Sequence, residues 1–288
     1  FSRQAIAMTW DYAEANLFST SSGSFYNLHD RMVKGIAGLA STKVCGQVIQ
    51  ADAKFLEYKN APIISTDPPY YDNIAYADLS DFFYIWMKKP LGKIFPEVFS
   101  SIATPKVDEL VASSFRHGGK SGAEIFFLRG MTQAIRQMEK NTSKAAPTTI
   151  YYAFKQSEIE LEGISSTGWA TFLTAVIDAG YSVVGTWPVR TEMVNRMIAS
   201  GTNALANSVV LVCRSRKDSL GTITRAEFIR QLKLELPKAV ANLKAASIAP
   251  ADIPQSSIGP GIGIYSRYQS VLENDDTPMT VKTALPFP

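Results

Sequence analysis

A polar stretch at residues 65–73, STDPPYYDN, holds residue types that could recognise an amino group on a flat ring. The carboxylate of Asp67 accepts hydrogen bonds. Pro68 has no amide hydrogen, and it restricts Asp67 to an extended backbone. Such a turn can place the Asp67 carboxylate beside a main-chain carbonyl, and two convergent acceptors suit an exocyclic –NH2 group. Tyr70 adds a flat face on which a base can stack.

The residues before this stretch indicate where it would lie in a fold. Residues 61–64, APII, form a short apolar run that predicts a buried strand ending just before Asp67. Ligands bind at the carboxyl ends of strands in open α/β sheets, so a polar cluster there is a candidate site. A tight turn of Asp and Pro, followed by two packed tyrosines, is the structural alternative.

A second acidic residue follows a second strand-like run. Residues 45–50 predict a strand that is closed by Asp52. A carboxylate in this position could accept from the amino group of an adenine, while the amide of Ala53 donates to a ring nitrogen. A helix cap or a turn is the alternative for Asp52, because aspartate favours both.

The rest of the chain alternates predicted helices and strands, an order typical of an α/β fold. Helices are predicted within residues 25–42, 79–86, 127–138 and 167–177, and strands at residues 148–154, 181–189 and 208–213. The last two strands are joined by a long polar connection, residues 190–207, that contains no convincing helix. They are therefore predicted to pair antiparallel at the edge of the sheet.

Two further segments stand out: one has apolar side chains at helical spacing, and the other is rich in glycine and basic residues. Leu79, Phe82, Phe83 and Trp86 follow helical spacing, so we expect them to form a core-facing stripe. Residues 116–122, RHGGKSG, form a glycine-rich basic tip that could touch DNA phosphates. A solvated surface loop is the equally good alternative for this tip.

From residue 217 onwards the pattern predicts a helical appendage that extends to residue 288. Thr224 and Glu227 have the spacing of a capping box at a helix start. Pro237 is expected to end that helix and begin a second one.

Composition sets broad limits on function. The net charge of +3 over 288 residues permits nucleic-acid binding without arguing strongly for it. No apolar run is long enough to span a bilayer, so no membrane association is expected. Cys45 and Cys213, with two distant histidines, lack the spacing of a zinc site, so no metal is predicted. Both cysteines are interpreted as reduced core thiols of a cytoplasmic protein.

The motif Asp67-Pro68-Pro69-Tyr70 resembles the catalytic motif of amino-methyltransferases that act on adenine in DNA. The longer run DPPYYDNI at 67–74 is similar to that of one branch: the large adenine-specific DNA methylases with an N-terminal domain of unknown function, some with a zinc ribbon. The resemblance extends over most of the chain, including WDYAEAN at 10–16 and GPGIGIYSRY at 259–268.

This resemblance implies a class-I methyltransferase sheet of the Rossmann-like type over residues 1–216, followed by the helical appendage at 217–288. It implies methyl transfer from S-adenosylmethionine to the amino group of adenine in DNA, with the base flipped out of the duplex. DNA methylation is the associated activity, and restriction-modification is one role that this resemblance leaves open, beside defence and regulation. The implied catalytic residues are Asp67, Pro68, Pro69 and Tyr70; the cofactor-binding residues are Asp52, Ala53 and Asp67. Further candidates for substrate contact are Tyr71, Asn73, Arg190 and Asn207.

Class-I methyltransferases hold their cofactor over a glycine-rich turn after the first strand, and no such turn precedes Asp52. We therefore expect an incomplete sheet whose first strands belong to an upstream segment of the same full-length protein. That segment and DNA would be the partners of this chain, which alone would bind the cofactor weakly.

Other functions stay open at this stage. RNA could be the acceptor in place of DNA, because the motif does not distinguish the two. Protein glutamine fits less well, since enzymes of that type resemble the motif with Asn in place of Asp67. A non-catalytic, nucleic-acid-binding fragment of a methyltransferase is the alternative from a different class.

Overall fold

The computed structural model describes residues 8, 10–11, 13–14, 16–39, 45–72, 74–153, 167–190, 207–216, 221–245 and 253–285. The chain divides into two units, Phe1–Gln50 and Ala51–Pro288. In the described part of the chain, no helix is both long and apolar enough to cross a membrane.

Helices and strands alternate along most of this length. The helices are α1 (Phe25–Ala37), α2 (Tyr76–Leu91), α3 (Lys120–Asn141), α4 (Thr167–Asp178), α5 (Arg225–Ala245), α6 (Ile253–Tyr265) and α7 (Val281–Ala284). The strands are β1 (Ser65–Thr66), β2 (Thr148–Tyr152), β3 (Tyr181–Arg190), β4 (Asn207–Ser215), β5 (Thr222–Thr224) and β6 (Ser270–Leu272).

Four of these strands form one mixed sheet in the order β1-β2-β4-β3. β1 pairs parallel to β2, and β4 pairs antiparallel to both β2 and β3. β1, β2 and β3 therefore point the same way, and their carboxyl ends share one edge of the sheet. The predicted α/β class and the predicted antiparallel pairing of the last two strands are both confirmed.

The main core lies where α3 and α4 pack against each other and α4 packs on the sheet. Its largest fully buried side chains include Trp169, Tyr152, Tyr181, Phe127 and Phe172. Tyr152, at the end of β2, stacks face to face on Phe172 of α4, with ring centroids 3.8 Å apart. Burying each such side chain contributes about 1.5–3 kcal/mol, so this cluster fixes the end of β2 firmly.

The C-terminal region packs directly against the sheet. Ile258 and Ile262 of α6 belong to the main core. The Ser266 hydroxyl accepts a 3.0 Å hydrogen bond from the backbone N–H of Val183. This bond satisfies one backbone donor of β3, a strand at the edge of the sheet. Unpaired strand edges invite pairing with other chains, and α6 reduces that exposure here.

The start of α5 confirms the predicted capping box. The Glu227 amide donates to Thr224 Oγ1 at 3.3 Å, and the Thr224 amide donates to Glu227 Oε2 at 3.2 Å. The predicted break at Pro237 is wrong, because α5 continues through this residue to Ala245. A proline inside a helix forfeits one backbone hydrogen bond, and packing of the helix outweighs that loss here.

Two strand predictions upstream of the motif are wrong in part or in whole. Residues 45–50 are described and form no strand; Val48 is 98% exposed. β1 comprises Ser65 and Thr66 instead of the apolar run before them, and Ile63 is 72% exposed. Both strand predictions relied on apolar character alone. Neither residues 45–50 nor residues 61–64 are buried among the described residues, so apolar character did not indicate strands here.

The helical predictions succeed in position but not always in burial. The expected core stripe of α2 is exposed instead, with Phe82, Phe83 and Trp86 at 44%, 48% and 68% exposure. α1 also forms where predicted, yet it contains no buried residue. Cys213 is a buried thiol as expected, whereas Cys45 is exposed.

The contact of α6 with β3 generates a test of the packing. A Cβ atom at Gly259 would lie 2.6 Å from Thr186 Cβ, closer than real atoms approach, whereas one at Gly261 would meet Leu232 Cδ2 at 3.8 Å. Gly259→Ala should therefore lower the free energy of unfolding by about 1–3 kcal/mol through overpacking. Gly261→Ala, in the same helix, should be neutral or slightly stabilising. Denaturant unfolding of both variants is the measurement, and equal effects would contradict the close packing.

Candidate active site at the carboxyl edge of the sheet

The residues at 67–72 follow β1 directly, at the edge where the parallel strands end. Thr66 pairs with Ile150, so Asp67 is one residue beyond the last pair and lies beside the end of β2. Asp67 is exposed, while Pro68, Pro69 and Tyr70 are half-buried. A carboxylate at a strand end is thus presented to solvent on a backbone held by the sheet.

Asp67 and Tyr70 contact each other. The Tyr70 hydroxyl donates a 2.7 Å hydrogen bond to Asp67 Oδ1. The Tyr70 ring packs edge to face on the buried ring of Tyr152, with centroids 5.3 Å apart and an interplanar angle of 71°. Because Tyr152 is itself stacked on Phe172, the core of the protein fixes the orientation of the Tyr70 ring.

Tyr71 has a structural role in this turn. It has a backbone φ of 40°, and its side chain is only 9% exposed. Its ring packs edge to face on Phe127 at 5.1 Å, and a side chain on Gly168 would press against it at 3.1 Å. Packing therefore accounts for the position of the Tyr71 ring, and its predicted contact with substrate stays a prediction. Asn73, the other predicted contact in this stretch, lies outside the described residues.

Sequence reasoning missed Tyr76, the first residue of α2. Burial raises the pKa of its hydroxyl, and the negative charges of Asp67 and then Glu109 raise the pKa further. The three groups therefore lie close enough to interact electrostatically. No sequence pattern predicted this, because Glu109 reaches the site from a loop more than thirty residues away.

That loop, residues 104–119, is bound to the first turns of α2. Thr104 donates through its amide to Asp81 Oδ1 at 2.9 Å and through its hydroxyl to the same atom at 2.6 Å. Lys106 Nζ pairs with Asp81 Oδ2 at 2.7 Å. These contacts lower the pKa of Asp81 to about 2, with the Lys106 hydrogen bond as the largest cause. Asp81 thus holds the start of the loop.

A second set of ionic contacts holds the end of the loop. Arg116 pairs through Nη1 with Glu109 Oε2 at 2.6 Å and through Nη2 with Asp78. Glu109 Oε1 also accepts a 2.8 Å hydrogen bond from the Ala77 amide. The charge of Arg116 is therefore balanced by two carboxylates, and Arg116 positions the loop. Contact of the predicted basic tip with DNA phosphates stays a prediction.

Asp52 lies in a local turn. Its Oδ1 accepts a 2.8 Å hydrogen bond from the Lys54 amide, and Oδ2 pairs with Lys54 Nζ at 3.3 Å. Leu56, four residues on, accepts a 3.0 Å hydrogen bond from Gln137, near the end of α3. That end of α3 leads into β2, at the edge of the sheet opposite Asp67. These contacts match the turn alternative for Asp52, and cofactor binding by Asp52 and Ala53 stays a prediction.

Arg190 and Asn207 are paired positions at the ends of β3 and β4. Both lie on the same edge of the sheet as Asp67. The strand order places β3 three strand spacings from β1, or about 14 Å. Only the backbone is described at these two residues, so their predicted contacts with substrate stay predictions.

The chain was compared with models of protein families, with curated proteins and with solved structures, and none of the three comparisons found a match. Function is therefore inferred from the chemistry of the site.

The ion pair at Asp81 gives a pH-dependent prediction. Its folded pKa of about 2 lies below the ordinary value of 3.8, so its stabilising effect is present above about pH 4 and is lost as the pH falls towards 2. Asp81→Asn should lower the melting temperature at pH 5, and the difference from wild type should shrink to nothing near pH 2. Asp108→Asn, at an exposed acid on the same loop, is the control and should change the melting temperature little at pH 5. A difference that persists unchanged at pH 2 would refute the role of Asp81.

Proposed function

We propose that this chain carries the target-base site of an S-adenosylmethionine-dependent methyltransferase that acts on the amino group of adenine in DNA. The observation that carries the proposal is the exposed Asp67 carboxylate at the carboxyl end of β1, with the Tyr70 ring held beside it. Strand order supports it as well. The sheet closes at one edge on the antiparallel pair of β3 and β4, the pairing that was expected from the sequence.

In this proposal, two oxygen atoms accept the hydrogens of the adenine amino group: one from the Asp67 carboxylate and one from the main-chain carbonyl of Pro68. The bound cofactor supplies an electrophilic methyl group. As the amino nitrogen takes that methyl group from the cofactor sulfur, it would become tetrahedral and cationic, and it would then release a proton to the solvent that reaches the exposed Asp67 edge. Both acceptors interact more strongly while the nitrogen is cationic, so they stabilise the transition state more than the ground state.

Tyr70 supplies the stacking surface in this proposal. Its ring is half-buried and oriented by Tyr152, so a flipped base can lie against a surface that does not need to be ordered on binding. The Tyr70 hydroxyl already occupies Asp67 Oδ1. An incoming amino group must therefore use the second carboxylate oxygen or displace that hydroxyl.

Asp52 and Ala53, the other residues predicted to bind the cofactor, take no part in the reaction steps proposed above. Asp52 is engaged by Lys54 in a local turn, so no step of the reaction is assigned to Asp52 or Ala53. Their binding of S-adenosylmethionine stays a prediction, as does the upstream segment that would complete the sheet.

Removal of the Asp67 carboxylate tests the chemistry. Because Asp67 is exposed, Asp67→Ala should leave the melting temperature within a few degrees of wild type. It should reduce methyl transfer by roughly a hundredfold or more, the scale of a lost transition-state hydrogen bond. The measurement is transfer of radiolabel from S-adenosylmethionine to DNA, RNA and protein in parallel, with the natural full-length protein. Asp108→Ala, another exposed acid, is the control.

Label that appears only in RNA or only in protein would refute DNA as the substrate. Wild-type turnover in the Asp67 variant would refute the assignment of Asp67. Absence of label in all three acceptors would favour the non-catalytic alternative.

Tyr70 can be tested by separating its ring from its hydroxyl. Tyr70→Phe keeps the ring, so it should retain most of the activity even though it frees Asp67 Oδ1. Tyr70→Ala should weaken productive binding by about 1–3 kcal/mol through loss of stacking. Steady-state kinetics on the same DNA give the comparison. Equal impairment of the two variants would show that the hydroxyl, and not the ring, is what matters.

A further inference from the structure

An almost fully exposed aromatic side chain projects from the loop beside the candidate site. Phe115 is 98% exposed, although the backbone on both sides of it is ordered by a turn. The amides of Arg116 and His117 donate to the Ser113 carbonyl at 3.1 and 3.2 Å. Phe115 therefore lies at the tip of a hydrogen-bonded turn whose shape is set by the protein.

This turn is tied to the residues that follow Asp67. The Ala112 amide donates a 2.9 Å hydrogen bond to the Tyr71 carbonyl, and the side chains of Val111 and Ala112 are buried. On the other side, Arg116 is fixed by Asp78 and Glu109. Phe115 is only three residues from Ala112, so its backbone lies within about 11 Å of the anchored residue.

Single exposed apolar residues are common on protein surfaces and need no explanation by themselves. Phe115 differs in two ways: it is anchored on both sides, and it is anchored to the turn that presents Asp67. An enzyme that takes a base out of duplex DNA must offset the free energy that is lost when the base is unstacked. Proteins that distort DNA commonly insert an apolar side chain between base steps at such points.

We propose that Phe115 enters the duplex beside the target adenine and fills the space that the flipped base leaves. This inference rests on the proposed function, since it needs duplex DNA at the Asp67 edge of the sheet. The partner surface is thus a base step of duplex DNA, and the contact is stacking instead of hydrogen bonding.

The test measures binding and does not depend on the cofactor or on methyl transfer. The wild-type chain is titrated with three fluorescent DNAs of one sequence: an intact duplex, a duplex with one abasic site, and the single strand. The abasic duplex already contains a gap in which the Phe115 ring can stack, whereas the intact duplex offers none until a base is unstacked. Wild type should therefore bind the abasic duplex roughly tenfold or more tightly than the intact one. Phe115→Ala should lose this preference, and Phe115→Trp should keep it.

A second readout locates the inserted ring. A 2-aminopurine placed next to the abasic site should lose fluorescence when an aromatic side chain stacks on it. We expect this loss with wild type and with Phe115→Trp, and not with Phe115→Ala. Val107→Ala is the matched control, because Val107 is a 79% exposed apolar residue on the same loop, and it should behave as wild type. Melting temperatures should agree among the variants, since Phe115 contributes little buried surface.

The possible failures are distinguishable. If Phe115→Ala binds DNA with the wild-type preference for the gap, the insertion is refuted while DNA binding stands. If Val107→Ala loses the preference as fully as Phe115→Ala, general loop surface explains the effect and the specific role of Phe115 is refuted. If wild type binds none of the three DNAs, both the insertion and DNA as the substrate are refuted.

Discussion

The buried ring of Tyr71 is the constraint on which the candidate site depends. A non-glycine residue with a positive φ costs free energy, and it persists only where the surroundings over-determine it. Here packing on Phe127 and close contact with Gly168 offset that cost. The resulting turn carries Asp67 at one end of the motif, and at the other end the Tyr71 carbonyl accepts a hydrogen bond from the Ala112 amide. One buried side chain therefore sets the positions of both the Asp67 carboxylate and the loop.

The sheet sets the direction in which that turn faces. Because β1 and β2 are parallel, the end of β1 lies beside the end of β2, where Tyr152 is buried against Phe172. Tyr152 in turn carries the Tyr70 ring. The packing of α4 therefore fixes the end of β2, and the end of β2 in turn fixes the exposed side chains of the site. No contact in this series is made by a flexible side chain.

Sequence patterns predicted the local features well and the non-local ones poorly. The capping box at Thr224 and the antiparallel pairing of β3 with β4 follow from short-range spacing and connection length, and both are present. Exposure of Trp86 could not be predicted, because helical spacing shows that a stripe exists and not whether another element covers it. The Asp78–Arg116 pair was equally invisible, since ion pairs between a loop and a helix leave no periodic pattern.

The contact between Tyr70 and Asp67 bears on how a site of the proposed kind would discriminate between ground and transition states. In the structure described here, a neutral hydroxyl donates to the carboxylate. A neutral amino group that replaces it gains little, because one hydrogen bond is exchanged for a similar one. A nitrogen that becomes cationic gains more, since the attraction between opposite charges is added to the hydrogen bond. Competition from the Tyr70 hydroxyl would thus cancel most of the free energy that the amino group gains from Asp67 in the ground state. The free energy gained only in the transition state, as the new bond forms, would remain.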